Sequence, residues 1–292
     1  GGSLVLKDFD NPSEVLEAIA REGINYMFAV PVMYEMLTKA PRWPQADFGR
    51  VHFFIAGGAP MPVPLLRRYQ EEKGVRFTQG YGMTETLRLT SLDLEAAIRK
   101  AGSIGKEVFH TWLRLVDARG REVPPGGVGE ISVRGPTVFL GYWNRPQETA
   151  AVLRDGWFHT GDLGRRDEEG FLYIVGRKKD MIISSGENVY PAEVEHAIQG
   201  LAPVQAAAVV GFPDPMRGEA VAAFVELRQG LSLTEEALLK HLNGCLAPFK
   251  VPRKVVFVEA LPRNPAGKIL KEELKSRLET TARRRRPAET EV

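Results

Sequence analysis

The stretch "VHFFIAGGAPMPVPLLRRYQEEKGVRFTQGYGMTE" (51–85) decides the fold of this chain. It contains an apolar strand at 51–55, a glycine-containing loop at 56–60, a helix, and a second strand at 75–79. Because the strands are continuous apolar runs rather than alternating ones, they predict a parallel sheet that is covered on both faces and joined by right-handed crossovers. The loops after the two strands would then lie at one carboxyl edge, where open parallel sheets bind ligands.

The residues before this stretch extend the same pattern. The segment "DNPSEVLEAIAREG" predicts a helix, with Asn11 as the N-cap, Pro12 in the first turn and Gly23 as the stop. A short strand "LVL" is predicted before it, and an apolar strand at 24–30 and the helix "VPVMYEMLTKA" after it. Residues 1–100 are therefore predicted to belong to an α/β domain with a parallel sheet.

The residues after this stretch change in character twice. From 101 to 175, short strands and close-set turns, among them "WLRLVD", "EISVRG" and "TVFLGYW", predict a small β-barrel-like subdomain. From 176 to 282, helices and strands are mixed, with a helix starting near Pro191, which is typical of a compact α+β domain. The last residues, 283–292, carry four consecutive arginines and are predicted to form a disordered basic tail.

Composition excludes several classes of partner. In 292 residues, 39 Lys and Arg oppose 37 Asp and Glu, so the formal net charge of +2 favours neither nucleic acid nor an anionic membrane as a ligand. No apolar run is long enough to span a bilayer, and no signal peptide is visible. The single cysteine, Cys245, lies in an apolar helical pattern and is interpreted as a small buried side chain. We therefore expect a soluble, cytoplasmic protein that acts on small molecules.

The segment "QGYGMTE" (79–85) combines groups that suit a nucleotide. Gly80 and Gly82 let the backbone turn sharply and let a ligand approach closely, and Tyr81 offers a flat ring. Thr84 offers a hydroxyl, and Glu85 offers a carboxylate oxygen of the kind that Mg²⁺ takes beside phosphate. A tight turn with Tyr81 buried and Glu85 solvated is the competing interpretation.

Three further candidates follow along the chain. Asp162 in "WFHTGDLG" could accept hydrogen bonds from two vicinal hydroxyls such as those of ribose, although an Asx-turn would explain it as well. Arg177 opens a charged segment that could also be an exposed linker. In "LPRNPAGKILKEEL", Gly267 allows a loop to present Lys268 just before an amphipathic helix, whereas a lone lysine after glycine is commonly just solvated.

Five motifs in order carry a resemblance to a known family. They are "GGAP" (57–60), "QGYGMTET" (79–86), "TGD" (160–162), "GRKKDMIISSGENVYPAEVE" (176–195) and "PRNPAGK" (262–268). Together they resemble the adenylate-forming superfamily of acyl-CoA synthetases, luciferases and adenylation domains of peptide synthetases. The segments "SGENVYPAEVE" and "LGYWNRPQETAAVLRDGWFHTGDLG" look most similar to fatty or aryl acyl-CoA ligases.

The resemblance implies a two-step reaction with ATP, Mg²⁺ and CoA. A carboxylate attacks the α-phosphate of Mg·ATP to give an acyl-adenylate and pyrophosphate, and the thiol of CoA then displaces AMP. By matching position, Tyr81 would stack on adenine, Thr84 would contact phosphate, Glu85 would bind Mg²⁺, and Asp162 would hold the ribose with Arg177 beside it. The resemblance further places the following residues at the nucleotide: Gly57, Gly58, Ala59, Pro60, Gln79, Gly80, Gly82 and Met83.

The resemblance also implies that the C-terminal domain is a mobile lid. Lys268 would stabilise the charge that develops between carboxylate and α-phosphate, as a mobile point charge can. Lys179 would be the hinge that withdraws Lys268 and brings Gly186 and Glu187 to the CoA side for the second step.

One family motif has no counterpart in the 292 residues: a Ser/Thr/Gly-rich phosphate loop of the "SGTTGxPKG" kind. We therefore expect the chain to be the C-terminal portion of such an enzyme: the end of a large parallel-sheet domain, the barrel-like subdomain and the lid. Such a piece is expected to have little activity alone. Two alternatives stay open, namely an adenylation domain that loads a carrier-protein thiol and a nucleotide-binding fragment without activity.

Overall fold

The computed structural model describes residues 1–59, 61–264 and 267–284, and for 279–284 the backbone alone. Pro60 of the predicted nucleotide loop and residues 285–292 of the predicted basic tail lie outside the described residues. The chain divides into two compact units, residues 1–174 and 175–292. In the described part of the chain, no helix has both the length and the apolarity needed to cross a bilayer.

The first unit begins with alternating helices and strands. Their bounds are α1 (Pro12–Arg21), β1 (Tyr26–Ala29), α2 (Pro31–Lys39), a 3₁₀ turn (Trp43–Gln45), β2 (Phe53–Ala56), α3 (Val63–Lys73), β3 (Phe77–Met83), β4 (Leu87–Leu92), α4 (Ala96–Arg99) and β5 (Lys106–Glu107). Strands β1, β2 and β3 pair in parallel, as expected, whereas β4 and β5 add to the same sheet in antiparallel orientation. The α/β class is confirmed.

The predicted strand "LVL" is wrong, because residues 1–8 belong to no strand. The leucines Leu4 and Leu6 are exposed. Apolar residues form a strand only where a neighbouring strand takes their backbone hydrogen bonds, and this segment joins none of the sheets.

Aromatic side chains hold the helices against the parallel strands. Tyr34 of α2 and Tyr69 of α3 are fully buried beside Phe54 of β2 and Phe77 of β3. The Tyr34 hydroxyl donates to the carbonyl oxygens of Met27 and Ile55 at 2.9 and 3.0 Å. Burial raises the pKa of Tyr34 far above its ordinary value, so the hydroxyl stays a neutral donor inside the core.

The rest of the first unit is a second sheet. Its elements are β6 (Trp112–Val116), β7 (Val128–Arg134), α5 (Pro146–Val152), β8 (Leu153–Arg154), β9 (Trp157–Arg166) and β10 (Leu172–Arg177), of which β10 crosses the boundary between the units. The strand order is β10-β9-β7-β6, with β8 also on β9. Because this order is an open path, the predicted barrel is not confirmed.

The segment "TVFLGYW" is not a strand either. The backbone N–H of Tyr142 donates to the Thr149 hydroxyl of α5 at 2.9 Å, so a helix side chain takes the bond that a strand partner would take. Gly141 has a φ of +147°, which an L side chain rarely adopts.

The second unit is a mixed sheet with helices on both faces. Its elements are a 3₁₀ turn (Lys178–Asp180), β11 (Ile182–Ser184), β12 (Glu187–Val189), α6 (Pro191–Gln199), β13 (Val204–Asp214), β14 (Gly218–Leu227), α7 (Glu235–Cys245), β15 (Lys254–Val258) and α8 (Lys271–Arg284). The strand order is β12-β11-β14-β13, and β15 pairs with β14 in parallel. The predicted helix start at Pro191 is confirmed.

Strands β13 and β14 are continuous apolar runs because apolar layers cover both faces of their sheet. On one face, alternate residues such as Val209 and Val221 pack with Ile198 of α6 and Leu242 of α7. On the other face, the intervening residues pack with Leu274 of α8 and its neighbours. A strand that is covered on both faces needs apolar residues at every position.

The expectation that Cys245 is buried is wrong, because its side chain is exposed. Helix α7 ends at this residue, and its buried stripe consists of Leu238 and Leu242. The thiol lies against the helix backbone, with its sulfur 3.4 Å from the carbonyl oxygen of His241.

Candidate active site

Strand β3 continues through the segment that was predicted to be a loop. Residues Gln79 to Met83 pair antiparallel with β4, and the chain turns only at 84–86, where the N–H of Thr86 donates to the Met83 carbonyl at 3.1 Å. Gly82 makes this pairing possible, since a Cβ at this position would lie 1.8 Å from the carbonyl oxygen of Leu87. The loop prediction is therefore wrong, because the glycines serve close strand pairing rather than a break in the sheet.

A cleft of about 320 Å³ lies at the carboxyl ends of the parallel strands. Its lining consists of Phe28, Ile55, Ala56, Gly57, Gly58, Gly80, Tyr81, Gly82, Met83, Leu87 and Arg88. The segments after β2 and within β3 thus meet at one sheet edge, which confirms that expectation. Two glycines at 57 and 58 keep side chains out of the cleft, and a Cβ at Gly57 would lie 2.8 Å from the ring of Phe28.

Tyr81 and Asp162, which are 81 positions apart in the sequence, form a hydrogen bond. The Tyr81 hydroxyl donates to Oδ2 of Asp162 at 2.7 Å. Asp162 lies on β9 and is buried, and its N–H donates to the Thr160 hydroxyl at 3.1 Å. The fold therefore joins two predicted site residues from different sheets at the rim of the glycine-lined cleft.

Three polar side chains lie beside the segment that carries Asp162: Glu130 and Ser132, which are buried, and His159, which is half-buried. The N–H of Gly161 donates to Oε1 of Glu130 at 3.2 Å, and Nδ1 of His159 lies 3.4 Å from Oε2 of the same carboxyl group. The Ser132 hydroxyl lies 3.2 Å from the same ring nitrogen. These three residues were not predicted from the sequence. The available signal was the two-residue spacing of Glu130 and Ser132, which puts them on one face of β7.

Glu85, the predicted metal ligand, is held by a tyrosine that sequence analysis also missed. The Tyr142 hydroxyl donates to Oε1 of Glu85 at 2.9 Å, and the N–H of Phe139 donates to the Glu85 carbonyl at 2.7 Å. The pKa of the Tyr142 phenol is raised mainly by desolvation and, to a lesser extent, by the hydrogen bond to Glu85. The phenol therefore remains a donor at neutral pH.

The Glu85 carboxylate is suited to bind Mg²⁺ that is also coordinated by the phosphates of a nucleotide. Within the described residues, no cluster of three or more His, Cys, Asp or Glu side chains could form a protein cage for a metal. Mg²⁺ is commonly held by one or two carboxylates together with substrate phosphates and water, so a single oriented carboxylate is compatible with it.

The other nucleotide candidates of the first unit have different surroundings. Gln79 is buried, and its Oε1 accepts a hydrogen bond from the N–H of Met61 at 3.0 Å. This bond fixes the end of the loop that follows β2. Thr84 is exposed at the tip of the hairpin, and Ala59 is exposed next to Gly58.

Arg177 and Lys179 lie at the start of the second unit. Arg177 is the last residue of β10, and Lys179 is the middle residue of the 3₁₀ turn that follows. Both side chains are exposed. The boundary between the units, after Ile174, lies a few residues before them.

Gly186 and Glu187 belong to a tight hairpin between β11 and β12. The two loop residues, Ser185 and Gly186, have φ values of +54° and +84°. Positive φ at both positions is typical of a type I′ turn, whose twist matches the flanking strands. Glu187 pairs with Ser184 and is exposed.

Lys268 lies on a second hairpin, just before α8. Arg263 and Ile269 form an isolated β-bridge, and the Asn264 side chain accepts from the N–H of Lys268 at 2.9 Å. Gly267, with a φ of +80°, occupies the left-handed position of the turn. The Lys268 side chain is exposed, so the segment presents the lysine at the surface of the second unit, as the sequence predicts.

Two family models match the chain. The model described as AMP-binding enzyme matches residues 1–143, and the model described as AMP-binding enzyme C-terminal domain matches residues 193–268. The first match contains the cleft, and the second contains the Lys268 hairpin.

Curated relatives of this chain are acid–CoA ligases with different acids in their names. The chain is 45% identical over 278 residues to a feruloyl-CoA synthase from Amycolatopsis sp., covering 95% of this chain and 56% of the relative. It is 40% identical over 284 residues to the long-chain-fatty-acid–CoA ligase FadD13 of Mycobacterium tuberculosis, covering 96% and 56%. The chain thus spans about half the length of the curated relatives that it matches.

Solved structures give the same family. ATP-bound MatB from Rhodopseudomonas palustris is 38% identical with a TM-score of 0.86, covering 93% of this chain and 54% of that one. The amide bond synthetase McbA from Marinactinospora thermotolerans is 36% identical with a TM-score of 0.88, covering 95% and 57%. With both family models matched in order and relatives at 40% identity or more, the chain belongs to the adenylate-forming superfamily of AMP-binding enzymes.

Proposed function

We propose that the full-length protein is an ATP-dependent acid–CoA ligase. A carboxylate oxygen of the acid attacks the α-phosphorus of ATP, the bond to the β-phosphate oxygen breaks, and pyrophosphate leaves. The CoA thiolate then attacks the acyl carbon, and the bond to AMP breaks. The observation that carries the proposal is the 2.7 Å hydrogen bond between Tyr81 and Asp162 at the rim of the glycine-lined cleft.

The first unit would bind the nucleotide. Glycines 57, 58 and 80 leave room for a flat base beside the Tyr81 ring, and the Asp162 carboxylate, oriented by Tyr81, is suited to accept hydrogen bonds from ribose hydroxyls. Thr84 would contact phosphate from the tip of the hairpin. Mg²⁺, when bound, would neutralise phosphate charge, and Glu85, held by Tyr142, would be its protein ligand.

The second unit would supply the groups that differ between the two steps. Lys268 would stabilise negative charge around the α-phosphate in the first step, because an ammonium group is a compact point charge. Gly186 and Glu187 would serve the CoA step, Lys179 would be the hinge, and Arg177 would assist at the ribose. These roles rest on the motifs and on exposure. Gly186, Glu187 and Lys268 lie on exposed hairpins, and Arg177 and Lys179 are exposed at the start of the second unit.

The acid itself is proposed only by class. The names of these relatives specify an aryl acid and long-chain fatty acids. Both kinds of acid agree with the fatty or aryl branch that the motifs indicate. We infer a carboxylic acid with a substantial apolar part, since Phe28, Met83 and Leu87 line the cleft.

The test is acid-dependent exchange of pyrophosphate into ATP by the full-length protein, followed by CoA-dependent release of AMP. Activity with at least one aryl or aliphatic acid supports the proposal. Absence of exchange across a panel of both classes, in a folded protein that binds ATP, would instead support a nucleotide-binding role. Residues 1–292 alone are expected to show little exchange.

A second candidate function differs in the molecule that accepts the acyl group. The similarity to an amide bond synthetase, with a TM-score of 0.88, makes an amine an alternative to the CoA thiol in the second step. Supplying the same acid with CoA or with a panel of amines distinguishes the two, because the products are a thioester and an amide. We expect the thioester, since the curated relatives are CoA ligases.

A further inference from the structure

Arg88 is the charged residue in an otherwise uncharged cleft. Among the described residues that line the cleft, the others are glycine, alanine, isoleucine, leucine, methionine, phenylalanine and tyrosine. The Arg88 side chain is exposed, so it presents its charge to solvent and to any ligand in the cleft.

The Arg88 side chain is held in place over Gly80. A Cβ at position 80 would lie 2.8 Å from Nε of Arg88, so the glycine makes room for the arginine. Nε donates to the Thr90 carbonyl at 3.2 Å, and Nη2 lies within hydrogen-bond distance of three groups of β3 and β4. These are the Thr78 hydroxyl at 3.2 Å, the Gln79 carbonyl at 3.4 Å and the Ser91 hydroxyl at 2.6 Å.

This arrangement leaves one edge of the guanidinium group available. Within the described part of the chain, Nη1 of Arg88 makes no hydrogen bond and Arg88 forms no ion pair with a carboxylate. Its four partners are all neutral oxygens. Burial of part of its hydration shell lowers the pKa of Arg88, but an arginine remains charged at neutral pH. The cleft therefore contains an exposed positive charge, and no described protein group accepts a hydrogen bond from its Nη1.

We propose that Arg88 is a specificity residue that selects acids carrying a second oxygen-bearing, anionic group away from the carboxylate that is activated. The inference rests on the proposed function. The body of the acid would lie against Phe28, Met83 and Leu87, and Nη1 would donate to the second group. Because Nε and Nη2 already fix the guanidinium group, little side-chain entropy is lost when the ligand binds.

A phosphate of ATP is the other possible source of the anion. The apolar lining next to Arg88 favours the carbon skeleton of an acid, whereas a polyphosphate would need several donors or a metal ion. An arginine that binds ATP would raise the KM for ATP when replaced. An arginine that binds the acid would change the preference among acids and leave the KM for ATP unchanged.

The experiment uses the full-length protein and matched pairs of acids. The pairs are straight-chain monocarboxylates and dicarboxylates of the same lengths, and phenylpropanoate with its para-carboxy derivative. In the wild type, kcat/KM for at least one diacid is expected to exceed that of its matched monoacid. Arg88→Met is expected to lower that preference about ten- to a hundredfold, the range for losing a hydrogen bond to a charged group.

Controls separate recognition from structure. Arg119→Met removes an exposed arginine of a turn outside the cleft lining and is expected to keep the preference. Arg88→Lys keeps a positive charge without the planar fork and is expected to fall between wild type and Arg88→Met. This variant decides the question if Arg88→Met fails to fold.

Each outcome is decisive. Turnover of monoacids and diacids without preference, an equal loss for both acids in the Arg88 variants, or a raised KM for ATP with unchanged preference would overturn the role of Arg88 alone. Absence of turnover with every acid would overturn the proposed function and this inference with it.

Discussion

The Tyr81 hydroxyl is the residue-scale feature on which the nucleotide site depends. Asp162 is buried, and the donor at 2.7 Å orients and stabilises its carboxylate. Tyr81→Phe keeps the ring but removes this donor. We therefore expect about a tenfold or greater rise in the KM for ATP, corresponding to the loss of one hydrogen bond to a charged group. Steady-state pyrophosphate release by the full-length protein measures it.

The matched control is Tyr173→Phe. The Tyr173 hydroxyl also donates to a carboxylate, Oδ2 of Asp167 at 3.2 Å, but Tyr173 does not line the cleft. This variant is expected to shift the melting temperature without changing the KM for ATP. Equal effects of the two substitutions on the KM for ATP would contradict the role of Tyr81.

Glu85 and Tyr142 make a second residue-scale prediction. If Glu85 is the protein ligand of Mg²⁺, Glu85→Gln should raise the free Mg²⁺ concentration needed for half-maximal rate by about tenfold or more, because one anionic oxygen is lost. Tyr142→Phe removes only the hydroxyl at 2.9 Å and should change this concentration less, by about threefold. Titration of activity with Mg²⁺ at fixed ATP checks both, and a larger effect of Tyr142→Phe would argue against Glu85 as the ligand.

At the scale of elements, the hairpin of β3 and β4 depends on Gly82. A Cβ there would lie 1.8 Å from the Leu87 carbonyl oxygen, which is backbone and cannot move aside. Gly82→Ala is therefore expected to destabilise the protein by about 3 kcal/mol or more, or to prevent folding. Thermal and denaturant unfolding of the full-length protein measure the change.

Gly244→Ala is the control for this prediction. Gly244 lies within α7, and a Cβ at this position would have no neighbour within 4 Å. Alanine is a better helix former than glycine, so this substitution should be neutral or stabilising by up to about 1 kcal/mol. Comparable destabilisation by both alanines would mean that the close approach at Gly82 does not limit stability.

The elements also show how far the sequence alone predicts this protein. The helix beginning at Pro12 and the parallel pairing of β1 to β3 follow from local signals, namely a capping motif and continuous apolar runs. The antiparallel return of β4 could not be predicted in the same way. Glycines at 80 and 82 have the same local signature in a loop and in a strand whose neighbour approaches closely, and only the pairing with Leu87 distinguishes the two.

In the candidate site, too, some residues could be predicted from local sequence and others could not. Tyr81, Glu85 and Asp162 were found because their side chains suit a nucleotide and their motifs resemble a family. Their partners come from distant positions: Tyr142 lies 57 residues from Glu85, and Asp162 lies 81 residues from Tyr81. Such pairs depend on which strands become neighbours. Tertiary contacts determine this, and local sequence patterns do not encode those contacts.

At the scale of the whole molecule, the two units carry different parts of the chemistry. The cleft with Tyr81 and Asp162 belongs to residues 1–174, and the Lys268 hairpin belongs to residues 175–292. Charge develops on the α-phosphate in both half-reactions, since AMP leaves as an anion in the second. A lysine that is withdrawn after the acyl-adenylate has formed should therefore matter for the first half-reaction and little for the second. The proposed division of labour can therefore be tested by measuring the two half-reactions separately.

Lys268→Ala in the full-length protein is expected to lower the rate of acyl-adenylate formation by about a hundredfold or more, the scale for removing one charge-stabilising group. Thioester formation from preformed acyl-adenylate and CoA should stay within about threefold of wild type, because the hinge proposed at Lys179 would have withdrawn Lys268 before AMP leaves. Single-turnover measurements of each step provide the comparison. Lys275→Ala is the control, since Lys275 lies on α8 with its ammonium group 3.8 Å from Glu272, and it should leave both rates unchanged. Equal loss in both steps for Lys268→Ala would refute the division, because a lysine needed only for folding or for holding AMP would slow both half-reactions alike.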